Sequence, residues 1–368
     1  MDAIAVKTRL GRLQYMFREK GLKYTWNYLF MASTYNNDFI RYLLLTKLYR
    51  WFVFYPRYFE VEVTTRCNLK CIMCEHTYWK ERSQDLSLAE FMRIIDQFPK
   101  LKWIGTTGIG SSFLNKDFPG MLQYVKSRNE NIYVELFDSF TALGSDTIQQ
   151  VVEQGLIDRW IASVDGATRE TYEKIRVGAD FDTVKSNVKQ LIETKERHGT
   201  NFPELSFHFV ISKENYREVP QFVELVASLS RGRNIGILFS HLLHDFSEID
   251  NLVFEIPHDL KLEAERIARE NDIKLNWGKN IRERQSINRC TEWSMPFIFA
   301  DGSVVQCCAS NEANRRQFQI DHRMGNVLQT GFESVWHGNR FRSLRNMIHK
   351  GMVPEPCNAC TIYHKGTG

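Results

Sequence analysis

EVTTRCNLKCIMCEH, residues 62–76, sets Cys67, Cys71 and Cys74 on one short loop with the spacing C-x3-C-x2-C. Three thiolates held so close can bind three irons of a cubane cluster and leave the fourth iron open. A structural cluster or a structural zinc site normally uses four protein ligands. An iron with a free position is a place where chemistry happens. The run Phe59 to Thr64, just before the loop, reads as a strand, and the apolar Met73 stands just before the last cysteine. The competing reading is a zinc knuckle completed by a distant Cys or His. The specific spacing and its strand context argue against it.

The rest of the composition supports a metal protein. At 368 residues and 43% hydrophobic content the chain can bury one large core and a smaller appended one. Its eight cysteines are bunched: three in the first group, then Cys290, Cys307, Cys308, Cys357 and Cys360. Such bunching in a large chain without a signal peptide predicts metal ligation in a reducing compartment, not disulfides. No apolar run reaches the roughly 18 residues of a membrane helix. The start, MDAIAVKTRLGRLQYMF, lacks a secretory apolar core and cleavage site, so a cytoplasmic protein is expected. The ten histidines show no paired metal-binding spacing. His76, two residues after the cysteine loop, reads as either a cavity-lining or a surface residue.

The net charge of +4 hides an asymmetry. Residues 1–58 hold ten Lys/Arg and three Asp/Glu, a balance of +7, so the remainder sums to −3. The same piece is aromatic, with Tyr24, Trp26, Tyr28, Phe30, Tyr42, Tyr49, Trp51, Phe52 and Phe54. It reads as two or three short helices, with Leu43, Leu44, Leu45, Leu48 and Phe52 as an apolar face. A helical cap packed on the main domain is the favoured reading. A basic amphipathic surface that touches anionic lipid, peripheral to the inner face of a membrane, is the alternative. No recognised basic motif points to nucleic acid.

From residue 59 to about 240, strand-like runs alternate with helical patterns. The strands are Phe59–Thr64, Lys102–Thr106, Asn131–Phe137, Asp158–Ser163, Leu205–Ile211 and Asn234–Phe239. The helices are Leu88–Gln97, Phe118–Arg128, Asp146–Gln154, Phe181–Glu196 and Tyr216–Ser230. This order predicts an α/β fold with a parallel sheet and right-handed crossovers.

With the cysteine loop after its first strand, the chain resembles the radical S-adenosylmethionine (SAM) enzymes. The resemblance implies a partial (β/α)6 TIM-like barrel over residues 59–245, with functional groups at the C-terminal strand ends. It implies a 4Fe–4S cluster on Cys67, Cys71 and Cys74 whose open iron chelates SAM. It also implies reductive cleavage of SAM to a 5′-deoxyadenosyl radical. Met73 belongs to the signature. The loop Thr107-Gly108-Ile109-Gly110-Ser111-Ser112 stands where the family carries a glycine-rich turn and a glutamate that meets the SAM amino group. Ser111 replaces that glutamate. Ser163-Val164-Asp165-Gly166 is similar to the family's serine-x-aspartate at the ribose or methionine part. Arg176 matches a position that pairs with the SAM carboxylate. The implied SAM-contacting residues are thus Met73, Gly108, Gly110, Ser111, Ser163, Asp165 and Arg176.

Residues 246–289 read as a linker with mixed helix, and 290–368 as a small cluster-binding extension. Cys290, DGSVVQCC and Cys357-Asn358-Ala359-Cys360 resemble the SPASM/twitch extension, a β-hairpin and helix carrying auxiliary iron–sulfur clusters. A full SPASM set has more cysteines than this chain offers. Cys290, Cys307, Cys357 and Cys360 suffice for one fully ligated auxiliary 4Fe–4S cluster. Gly302 ahead of Cys307 fits the family's G-x4-C, which favours Cys307 over Cys308. A four-cysteine zinc site is the competing reading. Cys308 is an inert thiol, a ligand in place of Cys307, or a hydrogen-atom donor to a substrate radical.

The expected function is an oxidoreductase-type radical SAM enzyme that abstracts hydrogen from a substrate carbon. Oxidation or epimerisation of a small molecule, sugar or lipid-linked group ranks first. A peptide maturase acting on a ribosomal precursor ranks second, because residues 1–58 are too short and too helical for a winged-helix peptide-binding domain. A non-catalytic iron–sulfur electron carrier or zinc scaffold is the third. A reducing partner such as flavodoxin or ferredoxin is implied.

Overall fold

The computed structural model describes residues 9–34, 55–80, 82–230, 235–242, 247–278, 285–307, 316–358, 360 and 363–364. In chain order the first half carries α1 (Arg9–Thr34), β1 (Tyr58–Val61), β2 (Lys70–Cys71), α2 (Glu75–Tyr78), α3 (Leu88–Ile95), β3 (Trp103–Thr106), α4 (Phe118–Arg128) and β4 (Tyr133–Asp138). There follow α5 (Ser145–Glu153), β5 (Arg159–Ser163), α6 (Arg169–Ile175), β6 (Arg176–Val177), α7 (Phe181–Arg197), β7 (Glu204–Ile211), α8 (Val219–Ser230) and β8 (Gly236–His241). The remainder carries α9 (His258–Glu270), β9 (Lys274–Trp277), β10 (Gln285–Ser286), β11 (Phe297–Ile298), β12 (Ser303–Val305), α10 (Arg316–Asp321), β13 (Gly325–Asn326), α11 (Val327–Thr330), α12 (Phe332–Trp336), α13 (Asn339–His349) and β14 (Tyr363–His364).

One sheet organises the molecule, in the order β13-β12-β11-β1-β3-β4-β5-β7-β8-β9. From β11 to β9 every neighbouring pair is parallel. The six expected strands are present and adjacent. A seventh, β9, falls in the stretch read as a linker and extends the sheet beyond β8.

Local chemistry explains the helix starts. Ser87 and Glu90 form a capping box at α3, and Asp180 accepts the Thr183 amide at 2.6 Å ahead of α7. On α4, Phe118, Met121, Leu122 and Val125 make one buried stripe. Burying each such side chain is worth roughly 1.5–3 kcal/mol. Strand β7 shows the division of faces. Phe207 and Phe209 meet Phe222 of α8 on the helix side, the latter at 4.8 Å between ring centroids. Glu204, Ser206 and His208 alternate with them and occupy the inner face.

That inner face is polar. Arg159 reaches Glu135 at 3.1 Å and Ser206 at 3.4 Å, while Tyr133 donates to Glu204 at 3.3 Å. Helix α1, kinked at Gly21 with φ 81°, closes the lower end, where the strands begin. Its Arg12 donates to Glu204 at 2.8 Å, its Tyr24 to Asp158 at 2.9 Å, and its Tyr15 hydroxyl accepts from the Asn201 amide at 2.6 Å. Asp158 is fully buried but also receives Lys126 at 2.5 Å and the Val134 amide at 2.8 Å. A buried carboxylate so surrounded is satisfied. Two helical segments that meet at the non-helical Gly21 thus stand where short helices were expected. The leucine face from Leu43 to Phe52 lies outside the described residues.

The C-terminal extension joins the same sheet. Its β11 pairs in parallel with β1, placing Glu60 opposite Phe297, and β12 and β13 continue antiparallel. No helix among the described residues is long and apolar enough to cross a membrane.

Candidate active site

The cysteine loop leaves the upper end of β1 and is fixed by a second strand pair. β2 runs antiparallel to β6, with Cys71 directly opposite Arg176. The Ile72 amide donates to the Ile175 carbonyl at 2.9 Å, and Thr77 donates to the Cys71 carbonyl at 2.7 Å. The three thiols feel one another. Burial pushes Cys71 up to about 11 and Cys74 up to about 12, and Cys67 upward as well. Arg176 pulls all three back down. Metal must therefore displace protons to bind, so its affinity rises with pH.

Arg176 is itself held. Its Nε and Nη2 both donate to Asp165 Oδ2, at 2.7 and 2.6 Å, while Asp165 Oδ1 accepts the Val210 amide at 2.8 Å. Asp165 is fully buried, and Asn215 donates to its carbonyl at 3.0 Å. The geometry makes Asp165 the support of the guanidinium. Ser163 lies at the end of β5 opposite His208. His208 contacts Ser240 at 2.7 Å and the edge or face of Phe137 at 5.5 Å. Burial lowers the His208 imidazole to about 4, so it is neutral at neutral pH. Phe137, Ser163, His208 and Ser240 form the top inner layer of the sheet.

The loop after β3 packs hard against the base of the cysteine loop. A Cβ at Gly110 would collide with the Thr64 and Arg66 carbonyls, and one at Gly108 with the Glu62 side chain. The Ser111 amide donates to the Arg66 carbonyl at 2.7 Å, and its buried hydroxyl has no partner among the described residues. Asp138 Oδ2 and the Tyr172 hydroxyl are likewise buried without one. Asp138 is pushed up to about 6 by burial. Met73 packs in a small apolar cluster with Ile175, Leu242, Ile249 and Leu252. His76 is half-buried on α2, and its Nδ1 has no partner among the described residues.

One group escaped the sequence altogether. Glu62, at the top of β1, is fully buried and bonded to Arg316 of α10. It also accepts the Ile109 amide at 3.2 Å and the Ala300 amide at 3.4 Å. The Arg316 amide donates to Glu75, the residue after Cys74. The guanidinium stacks 3.9 Å over Phe299. One arginine of the extension thus ties β1, the cysteine loop and the β11–β12 hairpin together. A glutamate between two buried valines was the available signal; its partner's position was not.

The extension also gathers thiols. Cys290 is raised well above its usual value, first by burial and then by Glu292, Cys357 and Cys360. Burial pushes Cys357 up to about 12, and Gln306, the neighbour of Cys307, lies within hydrogen-bonding reach of it. Cys307 is buried. Cys308 lies outside the described residues. Among the described residues no three His, Cys, Asp or Glu side chains converge as single-ion ligands. A cubane needs the other arrangement, because each thiolate takes its own iron and the sulfurs stand apart.

Residues 61–226 match the family model of the radical SAM superfamily. The chain belongs to that superfamily. Residues 290–361 match the SPASM model, an iron-sulfur cluster-binding domain. This radical SAM chain is 26% identical over 321 residues to the tungsten-containing aldehyde ferredoxin oxidoreductase cofactor-modifying protein of Pyrococcus furiosus, covering 83% of this chain and 87% of that one. It is 22% identical to a mycofactocin maturase of Mycolicibacterium smegmatis, over 81% of this chain and 73% of the relative. Among solved structures, SuiB of Streptococcus suis bound to S-adenosylmethionine superposes with a TM-score of 0.64 at 13% identity, covering 98% of this chain and 88% of SuiB. That likeness concerns the fold.

The expected partial-barrel fold and radical SAM membership both stand. The family's cofactors follow: a 4Fe–4S cluster with SAM, and auxiliary iron–sulfur ligation in the extension. The residues fit them. Three mutually interacting thiols sit beside a held arginine, a glycine loop and a serine hydroxyl without a partner among the described residues, and the extension holds a second set of thiols, two buried and two half-buried.

Proposed function

We propose that Cys67, Cys71 and Cys74 hold the SAM-binding cluster, and that Arg176 and the Gly108–Ser111 loop receive the methionine part of SAM. With an electron from a reducing partner, a cluster and SAM held there would supply the chemistry of hydrogen-atom abstraction from a substrate carbon. Asp165 orients Arg176 and leaves the rest of its fork for a carboxylate. Phe137, Ser163, His208 and Ser240 offer a substrate one aromatic wall and several hydrogen-bonding groups. Neutral His208 can accept a hydrogen bond from a substrate hydroxyl.

The reaction we assign is oxidation of a polar small molecule, sugar or lipid-linked group. The observation that carries it is the second thiol group, with Cys290 and Cys307 buried and Cys357 and Cys360 half-buried, in which Cys290, Cys357 and Cys360 feel one another. Four thiolates fill every iron of one auxiliary cluster, which suits uptake of an electron better than binding of substrate. Peptide modification is the second reading, supported by the alignment with the mycofactocin maturase along most of the chain. The test is anaerobically reconstituted enzyme with SAM, a reductant, and panels of glycosides and short peptides. Faster 5′-deoxyadenosine formation with a product lacking two hydrogens supports oxidation. A product of unchanged mass overturns it in favour of epimerisation, and turnover confined to peptides selects the second reading.

The arginine assignment has its own expected result. Arg176→Ala should weaken SAM binding by about 1–3 kcal/mol, the scale of a charge-assisted bond. Ser111→Ala should cost less, since a neutral hydroxyl stands where the family has a carboxylate. Equilibrium dialysis of the reconstituted variants measures both. Wild-type affinity in Arg176→Ala would remove that residue from the site.

A further inference from the structure

We propose that the outer face of α1 docks the enzyme on an anionic lipid surface. The inner face of this helix is occupied: Tyr15, Met16, Tyr24 and Met31 are buried against the lower end of the sheet. The other face is exposed among the described residues. Phe17 is 53% exposed, Leu22 69%, Trp26 65% and Leu29 38%. Leu22, Trp26 and Leu29 follow at i, i+4 and i+7 and so form one stripe beyond the Gly21 kink. Nine large apolar side chains are exposed among the described residues, and four belong to this one helix. The other five are scattered singly, which needs no explanation.

Charge selects the occupant. Residues 1–58 carry +7 while the remainder carries −3. Arg18 and Lys23 are exposed on this helix, Arg18 paired with Glu19 at 3.9 Å, so Lys23 is the cation beside the apolar stripe that the charge argument rests on. A second copy of this face would bring the same positive excess and be repelled. A stripe of Leu, Trp and Phe flanked by basic residues matches the boundary between acyl chains and anionic headgroups. Because α1 covers the end where the strands begin, docking leaves the cysteine loop and the site mouth facing the aqueous side.

The test uses the reconstituted full-length protein and sedimented vesicles, either phosphatidylglycerol with phosphatidylcholine or phosphatidylcholine alone. Binding is expected only to the anionic vesicles. It should be released in about 1 M salt, where screening falls to about 3 Å. The triple variant Leu22→Ser/Trp26→Ser/Leu29→Ser should lose about tenfold or more in partitioning, with unchanged iron content and circular dichroism. Lys23→Glu should lose at least about fivefold while keeping every apolar contact. No binding to anionic vesicles, equal binding to both kinds, or unchanged binding by the triple variant would each overturn the proposal. A wild-type dimer in solution that the triple variant lacks would do the same, because the face would then be a subunit contact.

Discussion

Replacing Cys67, Cys71 and Cys74 together with Ala should lower the iron of anaerobically reconstituted protein from about eight to about four atoms per chain. The same variant should lose all SAM cleavage. The loop hangs from β1 and from the β2–β6 pair, so the backbone that presents the thiols persists without them. Iron and cleavage should therefore fall while the sheet remains. Cys357→Ala/Cys360→Ala should also lose about half of the iron but keep part of the substrate-free SAM cleavage. It should lose stability as well, because ligation there is coupled to folding of the extension. Iron analysis with high-performance liquid chromatography of 5′-deoxyadenosine reads both. Stoichiometric zinc without iron would sink the assignment, as would full iron in the double variant.

Arg316→Met should destabilise the protein by about 3–5 kcal/mol, the cost of leaving one member of a buried ion pair alone. Among the described residues Glu62 would keep the Ile109 and Ala300 amides, and Phe299 would lose its stacked cation. Adding Glu62→Gln should recover much of the loss, since the uncompensated charge is then gone. The midpoint of urea unfolding measures both, and proteolysis should release the extension before the main sheet. A midpoint equal to wild type in the single variant would show that the pair ties nothing together.

What could be read from the sequence was whatever is settled locally. Strands β1, β3, β4, β5, β7 and β8 and helix α4 declare themselves through apolar pattern and boundary residues within a few positions. The cysteine spacing likewise carries its own chemistry. Strand β9 escaped because Lys274–Trp277 is short and lies at the sheet's edge, half exposed. β2 and β6 are two residues each and exist only because their partners are brought together. Nothing in the one-dimensional pattern sets Cys71 opposite Arg176. The pairing of Arg316 with Glu62 spans 254 residues and is a property of the folded sheet alone. The same holds for α1, whose buried face is recognisable only once the strand beginnings it covers are known.

Helix α1 leaves the ribosome before any strand of the sheet it closes. Arg12 meets Glu204, which follows 192 residues later. At ribosomal speeds of roughly 5–20 residues per second, that is a wait of about 10–40 s. Until it ends Tyr15, Met16, Tyr24 and Met31 lack the complete floor they cover, because Tyr133 and Asp158 are made earlier but Phe202 and Glu204 come last. A segment made before the sheet is thus among the last to be seated. A slower ribosome lengthens the interval in which that apolar face is incompletely covered without changing the finished molecule.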